Sequence, residues 1–244
     1  MTHQGTRSLS RQHRKPQPVP SRPQTPSPRI TEGYFNGQKY IGEPRVLFLD
    51  VETSPILGYA WQKYEADIFE IVENTKLLCI SYRWNHENKT KAILLPHFRG
   101  YKPGVVDDRH LMKAIWKLLD EADVVIAHNG DRFDVRKINA RFFAHGMTPP
   151  RPYSTIDTLK TARKFLSLDS NKMGDICKLV GIGRKLETHG KDTWLGCIKG
   201  DPRAWRMMED YNIHDTELLY RLYARLVEWA AWKPNRRRPI YAKG

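Results

Sequence analysis

Cysteine is scarce in this 244-residue chain: Cys79, Cys177 and Cys197 are the only three, and no two form a C-x-x-C pair. An odd, scattered set of thiols argues against a disulfide-stapled secreted domain and suits a reducing, cytoplasmic setting. His189 and Cys197 share a segment, but their spacing fits no common zinc motif. Long apolar runs are absent too. No stretch of 18 apolar residues exists, so a membrane-spanning helix and a membrane role are not expected. The first 29 residues offer no apolar segment for a secretory signal. Acidic residues are in the minority, 27 against 41 Lys and Arg, for a net charge of +14. Apolar residues still make up 40% of the chain, enough for a core.

The basic excess is uneven. Residues 1–43 carry +5 and residues 233–244 another +5, which leaves only +4 on residues 44–232. Residues 1–29 hold six prolines among Ser, Gln, Thr and Arg. Such a segment buries too little apolar surface to offset its ordering entropy. The expected organisation is therefore a largely disordered basic tail over 1–43, one folded domain over 44–232 and a basic tail over 233–244. Tyr34, Phe35 and Tyr40 could form an arm that packs on the domain. Basic tails suit attachment to a polyanion without sequence readout, although solubility alone would also explain them.

Against this background, a few acidic residues stand in the wrong surroundings. The run Val46-Leu-Phe-Leu-Asp-Val-Glu-Thr53 reads as a buried strand, where charge is unexpected. Asp50 and Glu52 lie two apart, so both point to one face, ~6–7 Å apart along the backbone. Two charges ~4 Å apart repel by roughly 1 kcal/mol in water and about 4 at an effective dielectric of 20. A divalent cation would offset that repulsion, and a solvated strand end is the alternative. Val124–Ala127 reads as a second buried strand, followed by a polar turn at His128, Asn129 and Gly130. Asp134 then falls in the first turn of a helix, where it also complements the helix dipole. A third helix carries Tyr211 and Asp215 at i,i+4, neighbours on one face that equally read as a surface pair.

Taken together, Asp50-x-Glu52, Asn129-x-x-x-Phe133-Asp134 and Tyr211-x-x-x-Asp215 follow in order, about eighty residues apart. This pattern resembles the DnaQ-like (DEDD) 3′–5′ exonucleases of the ribonuclease H-like superfamily. The Tyr in the third motif is similar to the DEDDy subgroup. Tyr211-Asn-Ile-His-Asp215 resembles the third motif of family B polymerase proofreading domains. The resemblance implies an α/β domain of ribonuclease H-like fold, a mixed five-stranded sheet flanked by helices, over roughly residues 44–232. It implies a two-metal phosphodiester hydrolase using Mg²⁺ or Mn²⁺, with Asp50, Glu52, Asp134 and Asp215 as ligands. Asp50 would bridge both ions, Glu52 and Asp215 would hold the one that activates water, and Asp134 would support the other. Tyr211 would orient the attacking water. Asn129 would contact the 3′ end of single-stranded DNA or, less favoured, RNA.

The segment from Ser170 to Ile182 resembles the helix bordering the substrate cleft in this family, which makes Asn171 and Lys172 candidate phosphate contacts. Lys160, Arg163 and Lys164 form a basic helix face that could track a strand. Asp157 is placed to cap a helix at Thr158, Phe133 reads as core packing, and Trp194 and Trp205 read as base-stacking or buried packing. A phage-encoded or bacterial stand-alone enzyme of replication or repair would fit, in the cytoplasm and partnered by a polymerase or repair protein. Two alternatives remain: a non-catalytic nucleic-acid-binding or adaptor module, and an RNA-processing or structure-specific nuclease. Loss of a metal carboxylate would mark the first of these, and all four are present.

Overall fold

The computed structural model describes residues 31–35, 38–41, 44–64 and 67–231, so the expectations for residues 1–29 and 233–244 lie outside the described residues. β1 (Thr31–Phe35) and β2 (Gln38–Ile41) pair as an antiparallel hairpin in the stretch that holds the aromatic arm. The apolar run around Asp50 is β3 (Val46–Thr53), the central strand of the sheet. After it come β4 (Leu57–Tyr59), β5 (Glu70–Glu73), β6 (Leu77–Trp84) and β7 (Lys91–Leu94). The remainder alternates: α1 (Arg109–Glu121), β8 (Val124–Ala127), α2 (Asp134–Ala144), β9 (Ser154–Asp157), α3 (Thr158–Phe165), α4 (Met173–Leu179), α5 (Lys191–Lys199) and α6 (Pro202–Ala231).

Five strands form a mixed sheet in the order β7-β6-β3-β8-β9, flanked by helices as expected for a ribonuclease H-like fold. β7, β6 and β3 run antiparallel, whereas β3, β8 and β9 are parallel. Strand alternation divides the core. Leu47, Leu49 and Val51 join Leu111, Met112, Ile115 and Leu119 of α1 and Ile138 and Phe142 of α2. Val46 and Phe48 pack with Leu218, Leu219, Leu222 and Leu226 of α6. Asp50 and Glu52 continue this second series at period two, which turns them toward α6.

The register of the parallel strands decides where the site lies. Val46 of β3 pairs with Val124 of β8, so β8 ends while β3 still runs on through Asp50 and Glu52. Ala127 of β8 pairs with Asp157, the last residue of β9. Three parallel strands thus deliver their C-terminal ends, each leading into a polar turn or helix start, to one edge of the domain. Such edges are where ligands bind in open α/β sheets.

Two short strands were not read from sequence, and one expectation needs correction. β4 and β5, a short pair between Thr53 and Leu77, carry exposed side chains on both faces and lack the alternation that marks a half-buried strand. β7 stops at Leu94 because Pro96 sits in a 3₁₀ turn, where a missing N–H does no harm. Phe133 is not core: α2 begins one residue later, and Phe133 is 40% exposed, with the Lys137 ammonium 5.9 Å from its ring. The buried positions of α2 are instead Asp134, Ile138 and Phe142.

One buried charge clamps the domain from behind. Asp108 is fully buried and accepts from Leu77 N (2.9 Å), Arg141 Nε (2.7 Å), Arg141 Nη2 (2.8 Å) and His145 Nε2 (2.7 Å). Burial alone would raise its pKa, but the bonds from Arg141, His145 and Leu77 hold it below the ordinary carboxylate value. Removing one partner of such a pair costs about 3–5 kcal/mol when the other charge stays buried. Asp108→Ala should therefore lower the unfolding free energy by about 3 kcal/mol, seen as a lower denaturant midpoint, because Arg141 keeps some solvent contact. A midpoint equal to wild type would remove Asp108 from this role.

Candidate active site

Four acidic side chains from three distant segments share one environment. Asp134 is 3% exposed and Asp215 1% exposed, while Asp50 and Glu52 keep a partly exposed edge. Asp134 reaches the site from the first turn of α2, where its Oδ1 accepts from Val51 N of β3 at 3.1 Å. Asp215 sits within the buried stripe of α6 that includes Met208, Leu219, Leu222 and Leu226. A carboxylate placed in an apolar stripe pays a desolvation penalty unless something neutralises it.

Part of that neutralisation comes from Lys185, in the loop between α4 and α5. Its Nζ lies 2.5 Å from Asp215 Oδ2 and 3.2 Å from the Tyr211 hydroxyl. The other Asp215 oxygen, Oδ1, is buried with no hydrogen-bond partner. The remaining acids stay poorly compensated. Burial first, then the charges of Asp134, Glu52 and Asp215, push Asp50 well above the carboxylate range. Burial and the Asp215 charge bring Glu52 to about 7. Asp134 is raised to about 7 by burial, against the opposing bond from Val51 N. Burial and the Asp215 charge hold the Tyr211 hydroxyl up at about 12, so it keeps its proton.

The expected i,i+4 pairing of Tyr211 with Asp215 therefore exists, with Lys185 bridging it. Trp194 of α5 packs edge-on to Tyr211 (5.9 Å between ring centroids), and its indole N–H opposes the rise of the Glu52 pKa. Asn212 of α6 donates to Asp50 Oδ2 at 2.7 Å. Trp194, read from sequence as base-stacking or buried packing, packs on Tyr211. Lys185 and Asn212 were missing from the candidates read from sequence: Lys185 lies in an aperiodic loop as one of 41 basic residues, and Asn212 sits on a helix whose facing partner is distant in sequence. Trp205, in contrast, is buried, with its indole N–H on the Tyr101 hydroxyl at 2.9 Å. His214 turns away from the acids to the Arg184 carbonyl at 2.7 Å.

A cleft of about 960 Å³ opens beside Asp50. Asn129, Asn171 and Lys172 line it, together with His128 and the basic side chains of Arg163, Lys178, Arg184 and Lys185. Asn129 adopts a left-handed conformation (φ 65°), which Asn tolerates better than most residues. Its N–H donates to Asp157 Oδ1 at 2.9 Å, and the same oxygen caps α3 through Leu159 N and Lys160 N. Asp157 thus caps the helix as expected and also holds the Asn129 turn. Burial pushes the His128 pKa down, and its ring spans Thr158 Oγ1 (2.9 Å) and the Asn171 carbonyl (3.0 Å). The basic face expected on α3 divides: Arg163 lines the cleft, Lys160 pairs with Asp131 at 2.7 Å, and Lys164 lies over Phe165.

Among the described residues, no three His, Cys, Asp or Glu side chains are drawn together tightly enough to hold a metal ion as they stand. Protein donors already occupy one oxygen each of Asp50, Asp134 and Asp215. The donor chemistry nevertheless fits a hard divalent cation. All four groups offer oxygen, their repulsion is unrelieved beyond one lysine, and Asp215 Oδ1 is an orphaned buried acceptor.

This electrostatic arrangement has a consequence for stability. With folded-state pKa values raised, the metal-free folded protein holds protons that the unfolded chain has released. Stability is then highest below the ordinary carboxylate pKa and falls as pH rises toward about 7, the value reached by Glu52 and Asp134. In EDTA the thermal midpoint should be several degrees lower at pH 8 than at pH 5, and Glu52→Gln should shrink the difference. Equal slopes for the two proteins would show that Glu52 carries no such strain.

Comparison with known proteins places this arrangement. A 110-residue stretch, 45% of the chain, is 34% identical to DNA polymerase III PolC-type of Ureaplasma parvum serovar 3 and covers 7% of that protein. In three dimensions, 80% of the chain superposes on 28% of the family B DNA polymerase of the hyperthermophilic archaeon Pyrobaculum calidifontis. The TM-score is 0.56 at 13% identity, a likeness of fold. The chain spans less than a third of the length of either relative. Residues 47–227, which include every acidic side chain described above, match the family directly, and the chain belongs to the RNase_H superfamily.

Proposed function

We propose that this chain is a metal-dependent 3′–5′ exonuclease of the DEDDy kind, acting on single-stranded nucleic acid, with DNA favoured over RNA. The observation that carries this reading is the meeting of Asp50, Glu52, Asp134 and Asp215 with a protonated Tyr211 beside a basic-walled cleft. The kinship with two polymerases supports a nuclease acting in replication or repair, in the cytoplasm of a bacterial or phage-infected cell. A polymerase or repair protein would be its partner.

The four carboxylates would hold two divalent ions, Mg²⁺ or Mn²⁺. Bound there, such ions would lower the pKa of water below its bulk value and stabilise charge on the leaving oxygen. Hydrolysis forms a bond from the water oxygen to phosphorus and breaks the bond to the 3′ oxygen of the preceding nucleotide. A 5′-mononucleotide leaves, and the shortened strand gains a 3′ hydroxyl. The protein's own groups position this event. Asn129 and Asn171 would bind the terminal nucleotide, the latter through an Oδ1 that is buried without a partner. Lys172, Arg163, Lys178 and Arg184 would attract the phosphates. Tyr211, held by Lys185 and protonated, would donate a hydrogen bond that orients the water, since a hydroxyl at about 12 is a poor base near neutral pH.

Digestion of 5′-labelled single-stranded DNA and RNA with Mg²⁺ or Mn²⁺ tests the proposal. A ladder should shorten from the 3′ end. Asp50→Ala/Glu52→Ala should cut the rate about a thousandfold or more, since metal stabilisation is worth several kcal/mol and each 1.36 is tenfold. If neither polymer is cleaved with either metal, the chain is better read as a binding module. Residues 44–232 would form the exonuclease domain, with basic segments at either end adding salt-sensitive attraction. Deleting residues 1–29 should leave the cleavage step intact and flatten the salt dependence of binding. An unchanged slope would free the tail of that role.

A further inference from the structure

We infer that Asn212 is a positioning residue that fixes the Asp50 carboxylate through an uncharged donor, with Cys79 setting the direction of its amide; this rests on the reading of the site as a nuclease centre. Asn212 is fully buried, and its Nδ2 lies 2.7 Å from Asp50 Oδ2 and 3.3 Å from the Asp50 carbonyl. Its Oδ1 faces Cys79 Sγ at 3.5 Å, and its own carbonyl accepts from Ser81 Oγ at 2.6 Å. Ser81 and Cys79 stand directly opposite Asp50 and Glu52 in the β3–β6 ladder. Helix α6 is thus fastened to the two β6 residues that share a face with those acids.

The amide has one workable orientation. A buried thiol keeps its proton and can only donate usefully toward an acceptor, so Oδ1 belongs on the Cys79 side. Turned over, the amide would lose the bond that the Cys79 thiol donates to Oδ1, and would set its oxygen against Asp50 Oδ2, two acceptors in repulsion once Asp50 is ionised by a bound cation. The choice of an amide also separates two tasks. Lys185 brings a positive charge to Asp215, whereas Asn212 holds Asp50 in place and adds no charge. Asp50 loses rotational freedom without gaining a fixed positive partner that would compete with a cation. Groups that orient metal ligands in this way typically change metal affinity or activity 10- to 100-fold when removed.

The full-length chain provides the test, using Mn²⁺ binding by calorimetry without substrate, and kcat and KM on a labelled oligonucleotide. Asn212→Leu keeps the volume and removes the donor. It should weaken Mn²⁺ binding and reduce kcat, each by about 10- to 100-fold, with KM within about twofold. Cys79→Ser, which retains a donor to Oδ1, should stay near wild type, while Cys79→Val should show a smaller loss than Asn212→Leu. Wild-type Mn²⁺ affinity and kcat in folded Asn212→Leu would overturn the inference, even with a lowered melting temperature. If Asn212→Leu does not fold, Asn212→Ser carries the same two measurements with the same outcomes. A wild-type chain that neither binds Mn²⁺ nor cleaves overturns the nuclease reading and this inference together. An active wild type with an indifferent Asn212→Leu overturns the inference alone.

Discussion

Four carboxylates are held together at the edge of a sheet with a single lysine among them, and the rest of the domain is arranged to withstand their repulsion. Burial strengthens the effect, because the acids repel one another through protein rather than water. Burial first, and for Asp50 and Glu52 the neighbouring acids second, raise the proton affinity of Asp50, Glu52 and Asp134 well above the usual range. A site of this kind is electrostatically unfinished. It gives up stability that a bound cation would return, a trade seen where function needs poised charge.

The scaffold keeps that unfinished site from relaxing. β3 stays paired with β6 through Asp50 and Glu52, so the two acids cannot swing outward without breaking that ladder. Asp134 is tied to the backbone of the same strand through Val51, and Asp215 belongs to a helix of 30 residues whose apolar stripe is anchored in the core. Asn212 and Ser81 fasten that helix to the sheet at the level of the acids. On the cleft side the supports are softer. Asn129 rests on Asp157, and Asn171 on His128, so this wall of the cleft is built from turns whose geometry depends on two side chains.

The surroundings differ in charge from the centre. Arg163, Lys172, Lys178, Arg184 and Lys185 line the cleft around an acidic core. A polyanion would be drawn by the wall and would meet the carboxylates only where cations stand between. The basic wall and the acidic centre are therefore opposite in charge and adjacent in space.

Much of this was legible in the chain itself. The strand around Asp50, the strand ending at Ala127, the helix starting near Asp134 and the long final helix all follow from apolar spacing, and the acids stand out because they interrupt it. Their order and spacing carried the family resemblance and, with it, the sheet. Short-range rules failed where burial was decided elsewhere. Phe133 had helical spacing but fell just outside the helix, and β4 and β5 lacked the one-sided pattern that reveals a strand. Lys185 and Asn212 were invisible for a deeper reason. Each matters through a partner 30 to 162 positions away, and no local pattern encodes such a meeting. The sequence by itself determined which residues are costly to bury and therefore demand an explanation. Only the tertiary structure decided which neighbours share that cost, because charge compensation acts across space and ignores the order of the chain.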